Sequence, residues 1–360
     1  MKRSLIDILD LTTEEIDDLL KTGVAIMENP KQYAEACHGK KLGTLFFEPS
    51  TRTRLSFEAA MMELGGNVIG FSEASSSSAA KGESMADTAR VLSCYADILA
   101  IRHPMAGAPF VAAQNATVPV INAGDGGHCH PTQTLADLLT IQTQKGRLDN
   151  LTVGFCGDLK YGRTVHSLIA ALSRYENIKF VLISPAELSL PGYTKREILD
   201  EKEIAYHETT NLEAAIPELD ILYMTRIQEE RFENRAEYER LKDSYVLTAE
   251  KLTAAREDLI IMHPLPRVNE ISVSVDKDPR AQYFTQVLCG KYMRMALILK
   301  LLESADRDVE PFGDNVKFGE KVCHNPACIT AKEQELPHAF RLVNREHGKY
   351  RCVYCEEKAE

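Results

Sequence analysis

The chain has 360 residues, with 42 Lys+Arg against 53 Asp+Glu and a formal net charge of −11 at pH 7. The length allows two domains and an appendage, and the acidity speaks against a nucleic-acid footprint. No apolar run reaches membrane-spanning length, and Asp7 and Asp10 interrupt the stretch behind Lys2 and Arg3 where a signal peptide needs continuity, so cytoplasm is the expected location.

A first helix is predicted over Thr12–Ala25. Strand and helix patterns then alternate: strands Leu42–Phe46, Asn67–Phe71, Ile98–Arg102 and Val118–Asn122, with helices Arg52–Gly65, Ser84–Tyr95, Pro109–Asn115 and Pro131–Lys145. A second series of strands runs through Leu151–Cys156, Phe180–Ser184, Ile204–His207, Ile221–Thr225 and Ile260–Met262. Alternating βα units imply parallel sheets covered by helices. The predicted class is α/β: two doubly wound parallel-sheet domains with a cleft between them, followed by a small C-terminal β domain that the closely spaced Cys323, Cys328, Cys352 and Cys355 mark as zinc-binding. A helix Lys291–Ser304 closes the second series, and the polar segment 306–319 reads as a linker.

In such sheets ligands bind beyond the carboxyl ends of the strands, and the chemistry-bearing residues fall there repeatedly. After Phe46 come Ser50, Thr51, Arg52, Thr53 and Arg54 at a strand-to-helix turn. Free N–H groups at a helix start favour anions; the dipole contributes about 0.3–1 kcal/mol, whereas a hydrogen bond from a charged group adds roughly 1.5–3 kcal/mol. A capped surface helix with two solvated arginines is the alternative reading. Ile101-Arg102-His103-Pro104 ends a strand with a guanidinium, and Asn122 to Asp137 is a Gly-rich turn entering a helix at Pro131. His128, Cys129 and His130 read as capping and packing rather than a metal site. Gly157 to Ser167 follows another strand but lacks the Gly spacing of a nucleotide loop.

Nine cysteines are present, and Cys37, Cys94, Cys129, Cys156 and Cys289 are scattered as expected for reduced thiols. The last four differ. Cys323-x4-Cys328-x23-Cys352-x2-Cys355 is a four-thiolate pattern suited to structural Zn2+, flanked by strand-like His338–Val343 and Lys349–Val353. Two disulfides are disfavoured in a cytoplasmic chain. From Asp306 onward nine basic residues face eleven acidic ones, leaving no basic stripe for a nucleic-acid-binding ribbon.

Phe47-Glu-Pro-Ser-Thr-Arg-Thr-Arg, His130-Pro-Thr-Gln-Thr-Leu-Ala-Asp and His263-Pro-Leu-Pro-Arg resemble, in order, the signatures of the carbamoyltransferase family. The resemblance covers roughly residues 1–305 and implies transfer of a carbamoyl group from carbamoyl phosphate to an amine, with no metal or organic cofactor for the chemistry. It assigns 1–140 to a carbamoyl-phosphate-binding domain, with a C-terminal helix 286–305 returning to it, and 141–285 to an amino-acid domain. Ser50, Thr51, Arg52, Thr53, Ser77, Lys81, Arg102, His130 and Gln133 are implied at the carbamoyl-phosphate site, with Arg52, Thr53, Lys81, Arg102, His130 and Gln133 catalytic. Ser77 and Lys81 match a mobile loop that reaches a neighbouring subunit's site, although Ala80 stands where some members carry a second lysine; a disordered Ser-rich loop is the plain alternative.

The resemblance favours the aspartate branch, because Pro264 stands where the ornithine branch has cysteine and no Ser-Met-Gly motif is present. It places Lys81, Arg163, Thr164, Arg226, Gln228, Leu265 and Pro266 around L-aspartate; planar guanidiniums suit carboxylates and repel ornithine's ammonium. The product that the resemblance implies is N-carbamoyl-L-aspartate, in de novo pyrimidine (UMP) synthesis. Residues 320–360 resemble the zinc domain of the same family's regulatory chain, with Cys323, Cys328, Cys352 and Cys355 as ligands. That chain's nucleotide domain has no room in the linker, so nucleotide feedback through it is expected to be lost. The implied assembly is a trimer with shared sites, with two trimers joined through the tails as a further option, and no nucleic-acid or membrane partner.

Overall fold

The computed structural model describes residues 3–76, 78–227, 234–242, 245–304, 312, 315–344 and 348–359. The chain divides into two compact units, Met1–Thr132 with Lys291–Glu360, and Gln133–Gly290.

The first unit is built on a parallel sheet of β1 (Lys41–Phe46), β2 (Asn67–Phe71), β3 (Ile98–His103) and β4 (Val120–Asp125) in the order β2-β1-β3-β4. Helices α1 (Thr13–Glu28), α2 (Thr51–Glu63), α3 (Met85–Ser93) and α4 (Ala108–Asn115) connect or flank these strands, and α5 (Pro131–Lys145) leaves β4 toward the second unit. Thr12 and Glu15 form a capping box for α1. The strands are near-continuous apolar runs, as a sheet covered on both faces requires.

The second unit carries β5 (Thr152–Cys156), β6 (Lys179–Ile183), β7 (Ala205–Thr209), β8 (Ile221–Met224) and β9 (Ile260–Met262), all parallel, in the order β7-β6-β5-β8-β9. Helix α6 (Arg163–Leu172) follows β5 with Val165, Leu168, Ile169 and Leu172 buried. The sequence reading placed every one of these strands to within two residues at each end, apart from the C-terminal end of β4, which runs three residues further. It began the last long helix at Lys291, whereas the helix spans Tyr283–Glu303. The early turns escaped notice because the buried face of Tyr283, Gln286 and Cys289 is blurred by Phe284, Val287 and Leu288, which are apolar yet exposed.

The tail forms a small antiparallel sheet, β10 (Val316–Phe318), β11 (Ala339–Asn344) and β12 (Lys349–Cys352). Strand β10 lies in the segment read as linker, whose residues 306–311, 313 and 314 are outside the described residues. This sheet belongs to the first unit and shares its core: Cys328, Ile329, Phe340, Cys352 and Tyr354 are buried with Val111 and Ala112 of α4. Ala106 N–H donates to the Ala327 carbonyl at 2.8 Å and Ile329 N–H to the Ala106 carbonyl at 3.0 Å. Gly107 has φ +85°, and a Cβ there would lie 2.5 Å from that of Tyr354, so glycine permits the approach.

His103 sits in this core against Phe47, ring centroids 4.8 Å apart, with Nδ1 accepting from Met105 N–H. Burial, aided by the nearby Lys332 charge, pushes its pKa down from 6.5 to about 4. The unfolded chain takes up this proton through 6.5 but the folded chain only near 4, so the contribution is full above 6.5 and is lost as pH falls. Denaturant unfolding near neutrality and at about pH 5 should show wild type losing about 2 kcal/mol more than His103→Gln.

Candidate active site

Both parallel sheets reverse their strand order once, between β1 and β3 in the first unit and between β5 and β8 in the second. At such a point the connections leave in opposite directions and open a crevice beyond the carboxyl ends. In the first unit β1 runs into α2. Ser50 occupies the N-cap of α2 yet makes no capping hydrogen bond from its side chain, unlike Ser84 at the start of α3, whose oxygen accepts from Asp87 N–H. The surface-cap reading of this turn therefore fails, and the helix start keeps donors for an external anion. The two arginines separate. Arg54 pairs with Glu58 one turn on, at 2.7 Å, while Thr51 and Arg52 are exposed and Thr53 is buried.

Arg102, the last residue but one of β3, stands opposite an irregularity: Ile101 pairs with Asn122, but His103 pairs with Asp125. One residue on β3 thus faces Ala123 and Gly124 on β4, a bulge of the kind that re-aims a side chain. The guanidinium lies over Gly124, where an added Cβ would fall 2.9 Å from Arg102 Nη1 and 3.5 Å from His130 Cδ2. Arg102 Nη2 pairs with Glu48 at 2.7 Å, while its Nε is buried with no hydrogen-bond partner among the described residues. His130 is buried, with Nδ1 3.4 Å from Thr132 Oγ1. Ser50–Thr53, Arg102 and His130 are thereby gathered on one edge of one sheet. Lys81 lies exposed in the turn Ser78–Lys81, and Ser77 is outside the described residues.

Three supports of this edge were not read from the sequence. Arg294, on the long helix, donates to Ser56 Oγ at 3.1 Å and Thr132 Oγ1 at 3.3 Å and covers Phe57, pinning α2 to the start of α5. Glu48 restrains Arg102. Asp125, fully buried, accepts from Gly107 N–H, Asn122 Nδ2, Cys129 N–H and His128 Nδ1. These bonds hold its carboxyl below the usual range against the opposing effect of burial. Asp125, His128 and Cys129 bring ligand-type atoms within 4.8 Å of one another. They are joined by hydrogen bonds, and Cys129 Sγ also reaches the Ile6 carbonyl. His128 Nε2 faces Glu356 of the tail at 3.8 Å. These contacts join the loop before α5 to the tail.

In the second unit, β5 leads through Gly157 and Asp158 to Arg163 and Thr164 at the start of α6, and β8 leads to Arg226. Asp158 N–H donates to Thr225 Oγ1 at 2.8 Å, stitching the two strand ends together. Asp158 Oδ1 accepts from Lys160 and Tyr161 N–H and shapes the loop. Arg163, Thr164 and Arg226 are half-buried; Gln228 is outside the described residues. Leu265 and Pro266 are joined by a cis peptide bond, with Leu265 at φ +52°. Leu265 N–H donates to His263 Nδ1 at 2.8 Å, so the ring proton sits on Nε2 and points at Glu270, 2.7 Å away. Gln133 is half-buried in the first turn of α5, its Nε2 donating to Asp137 at 2.8 Å.

The four tail cysteines have sulfurs within 4.8 Å of one another, with Cys323 to Cys355 at 3.6 Å and Cys328 to Cys352 at 3.9 Å. A tetrahedron of thiolates about 2.3 Å from a central zinc has edges of about 3.8 Å. The donor set fits a structural metal. No described helix is long and apolar enough to cross a membrane.

Residues 3–143 match the carbamoyl-P binding domain of the aspartate/ornithine carbamoyltransferases, and 149–301 match their Asp/Orn binding domain. The chain belongs to the aspartate/ornithine carbamoyltransferase family. Residues 321–360 match the metal binding domain of the aspartate carbamoyltransferase regulatory chain. The aspartate carbamoyltransferase catalytic subunit of Lachnoclostridium phytofermentans is 65% identical over 300 residues, covering 83% of this chain and 98% of that protein. That of Clostridium perfringens strain 13 is 60% identical over 303 residues, covering 84% and 99%. Among solved structures, the M. jannaschii aspartate transcarbamoylase catalytic subunit superposes with TM-score 0.79 at 49% identity, covering 84% of this chain and 98% of its own. The Trypanosoma cruzi enzyme in complex with carbamoyl phosphate and aspartate gives 0.78 at 38%, covering 83% and 96%.

A methyl group at Gly124 must displace Arg102. Gly124→Ala is expected to weaken binding of inorganic phosphate by roughly ten- to hundred-fold, the worth of one charged hydrogen bond, as read by titration calorimetry. Because Gly124 has φ +119°, the same variant should also melt below wild type, the added methyl straining the backbone.

Proposed function

We infer that the chain transfers the carbamoyl group of carbamoyl phosphate to the amino group of L-aspartate, releasing N-carbamoyl-L-aspartate and phosphate in de novo pyrimidine (UMP) synthesis. The observation that carries this reading is the pairing of anion-seeking groups with strand ends. An uncapped helix start and Arg102 stand at the turning point of one sheet, and Arg163 and Arg226 leave neighbouring strands at the turning point of the other.

In this proposal Ser50, Thr51, Arg52, Thr53 and Arg102 bind the phosphate, and Thr53, Arg102 and His130 donate to the carbonyl oxygen. Gln133 takes the carbamoyl NH2 group. Arg163 and Thr164 hold the α-carboxylate of aspartate, Arg226 and Gln228 the β-carboxylate, and the backbone carbonyls of Leu265 and Pro266 face the amine. The amine nitrogen attacks the carbonyl carbon, and donors already in place stabilise charge on the tetrahedral oxygen. The C–O bond to phosphate then breaks and the departing phosphate takes the ammonium proton. Much of the rate comes from fixing the two reactants in register. His130 acts as a hydrogen-bond donor, not as the base.

The proposed assembly is a homotrimer, in which Ser77 and the exposed Lys81 complete a neighbouring chain's site, with pairing of trimers through the metal modules as its extension. The proposed metal is zinc, one ion held by Cys323, Cys328, Cys352 and Cys355, and the proposed location is the cytoplasm, where such thiols stay reduced.

Assayed side by side, aspartate should yield the carbamoylated product and ornithine none. Arg52→Ala should lose about 10²–10³-fold in kcat/KM without loss of fold, and mixing it with Lys81→Ala chains should restore part of the activity. Ornithine turnover would remove the aspartate assignment, and absence of recovery after proven exchange would make each site self-contained.

Metal analysis should find about one zinc per chain. Because the module shares the first unit's core, a chelator should lower the unfolding temperature of that unit as well as releasing the tail. Dye binding to newly exposed apolar surface, followed during chelation, checks this.

A further inference from the structure

Gln133 and Asp137 lie four residues apart on α5 and therefore share a face. Asp137 is fully buried. Its Oδ1 accepts from Gln133 Nε2 at 2.8 Å and from Gln286 Nε2 at 2.5 Å, and its Oδ2 accepts from the Tyr223 hydroxyl at 3.0 Å. Each donor leads to a different part of the aspartate-binding unit. Gln286 turns its own oxygen to His263 N–H, 3.0 Å away, at the head of the 263–266 loop. Tyr223 lies beside Thr164, at the start of α6.

A carboxylate can only accept, so it dictates how every amide around it must face. Gln133 has to turn its NH2 group inward, which leaves Oε1 as the outward group. Reversing the amide would set its oxygen against the buried Asp137 carboxylate. An outward acceptor suits a ligand that presents N–H, and the carbamoyl NH2 group does so. The Tyr223 phenol is held well above its ordinary pKa, first by burial and then by the Asp137 charge, so it stays a donor.

We propose that Asp137 is a positioning residue: it fixes which end of the Gln133 amide meets the carbamoyl donor, and through Tyr223 and Gln286 it ties that choice to Thr164 and to the 263–266 loop. This rests on the substrate reading given above for Gln133 and Thr164. Nothing in the motif itself requires an acid at this position, since an amide of the same shape would fill the space. Only the acid removes the ambiguity of the amide's two ends.

The test is Asp137→Asn, which keeps the shape and lets the new amide offer N–H to Gln133. Binding of carbamoyl phosphate should weaken by roughly ten- to hundred-fold, while inorganic phosphate, which has no NH2 group, should bind within about two-fold of wild type. In a Gln133→Ala background the same change should have little further effect on carbamoyl phosphate. Equal weakening of both ligands, or an undiminished effect without the Gln133 side chain, would overturn the proposal. If Asp137→Asn does not fold, Asp137→Asn/Gln133→Glu is compared with Gln133→Glu. The single variant sets two acceptors face to face, and the pair restores a donor opposite an acceptor, so carbamoyl-phosphate binding should recover at least about ten-fold. No recovery overturns it. Wild-type turnover with aspartate is measured alongside: its absence sinks the substrate reading itself, whereas the variant results sink only the role of Asp137.

Discussion

A parallel sheet that grows outward in both directions from its first strands cannot cover its own midpoint. Connections from β1 and β3 depart to opposite sides, as do those from β5 and β8, and the backbone donors there are left facing outward. That constraint places the strand-end residues proposed to bind substrate. Ser50 to Thr53 and Arg102 descend from the first such gap, Arg163 and Arg226 from the second. The surrounding structure then serves to keep these side chains aimed, through the bulge opposite Arg102, the Arg294 brace between α2 and Thr132, and the Asp158–Thr225 stitch.

The groups proposed to meet the anions have partners that are themselves constrained. Arg54 is engaged by Glu58 and is thereby withdrawn from competition with Arg52. Arg102 is held by Glu48 on one side while its Nε lacks a partner among the described residues. A buried donor without an acceptor is costly in a finished fold, and a bound phosphate oxygen would relieve it. The two fully buried acids, Asp125 and Asp137, play matching parts in their separate units. Each collects donors from distant segments and so fixes the conformation of a loop or an amide that the chemistry needs.

Much of this was legible in the sequence because apolar strands buried on both faces are short continuous runs ending at glycine, proline or polar turns. Leu42–Phe46 and Ile98–Arg102 are of this kind, and the residues following them were read as the site. The start of the last long helix was missed where its apolar spacing is diluted by Thr285, Val287 and Leu288, and β10 was missed because three residues carry no periodicity. The anchoring residues were harder for another reason. Asp137 stood in plain view four residues beyond Gln133, but which donors a carboxylate will gather depends on Tyr223 and Gln286, far away in the chain. Glu48 and Arg294 are of the same type: ordinary surface residues by composition, made structural by their neighbours.

The tail is welded to the body by shared apolar packing and by Ala106, whose two backbone bonds both go to the cysteine-rich loop. Ala106 is four residues from Arg102, and its neighbour Gly107 donates to Asp125. Metal scarcity would therefore strip away a wall of the hydrophobic interior, leaving a chain with a greasy, self-adhesive flank beside its phosphate-seeking arginine. The supply of that metal would thus become a condition for this protein's solubility and lifetime, quite apart from any part in turnover.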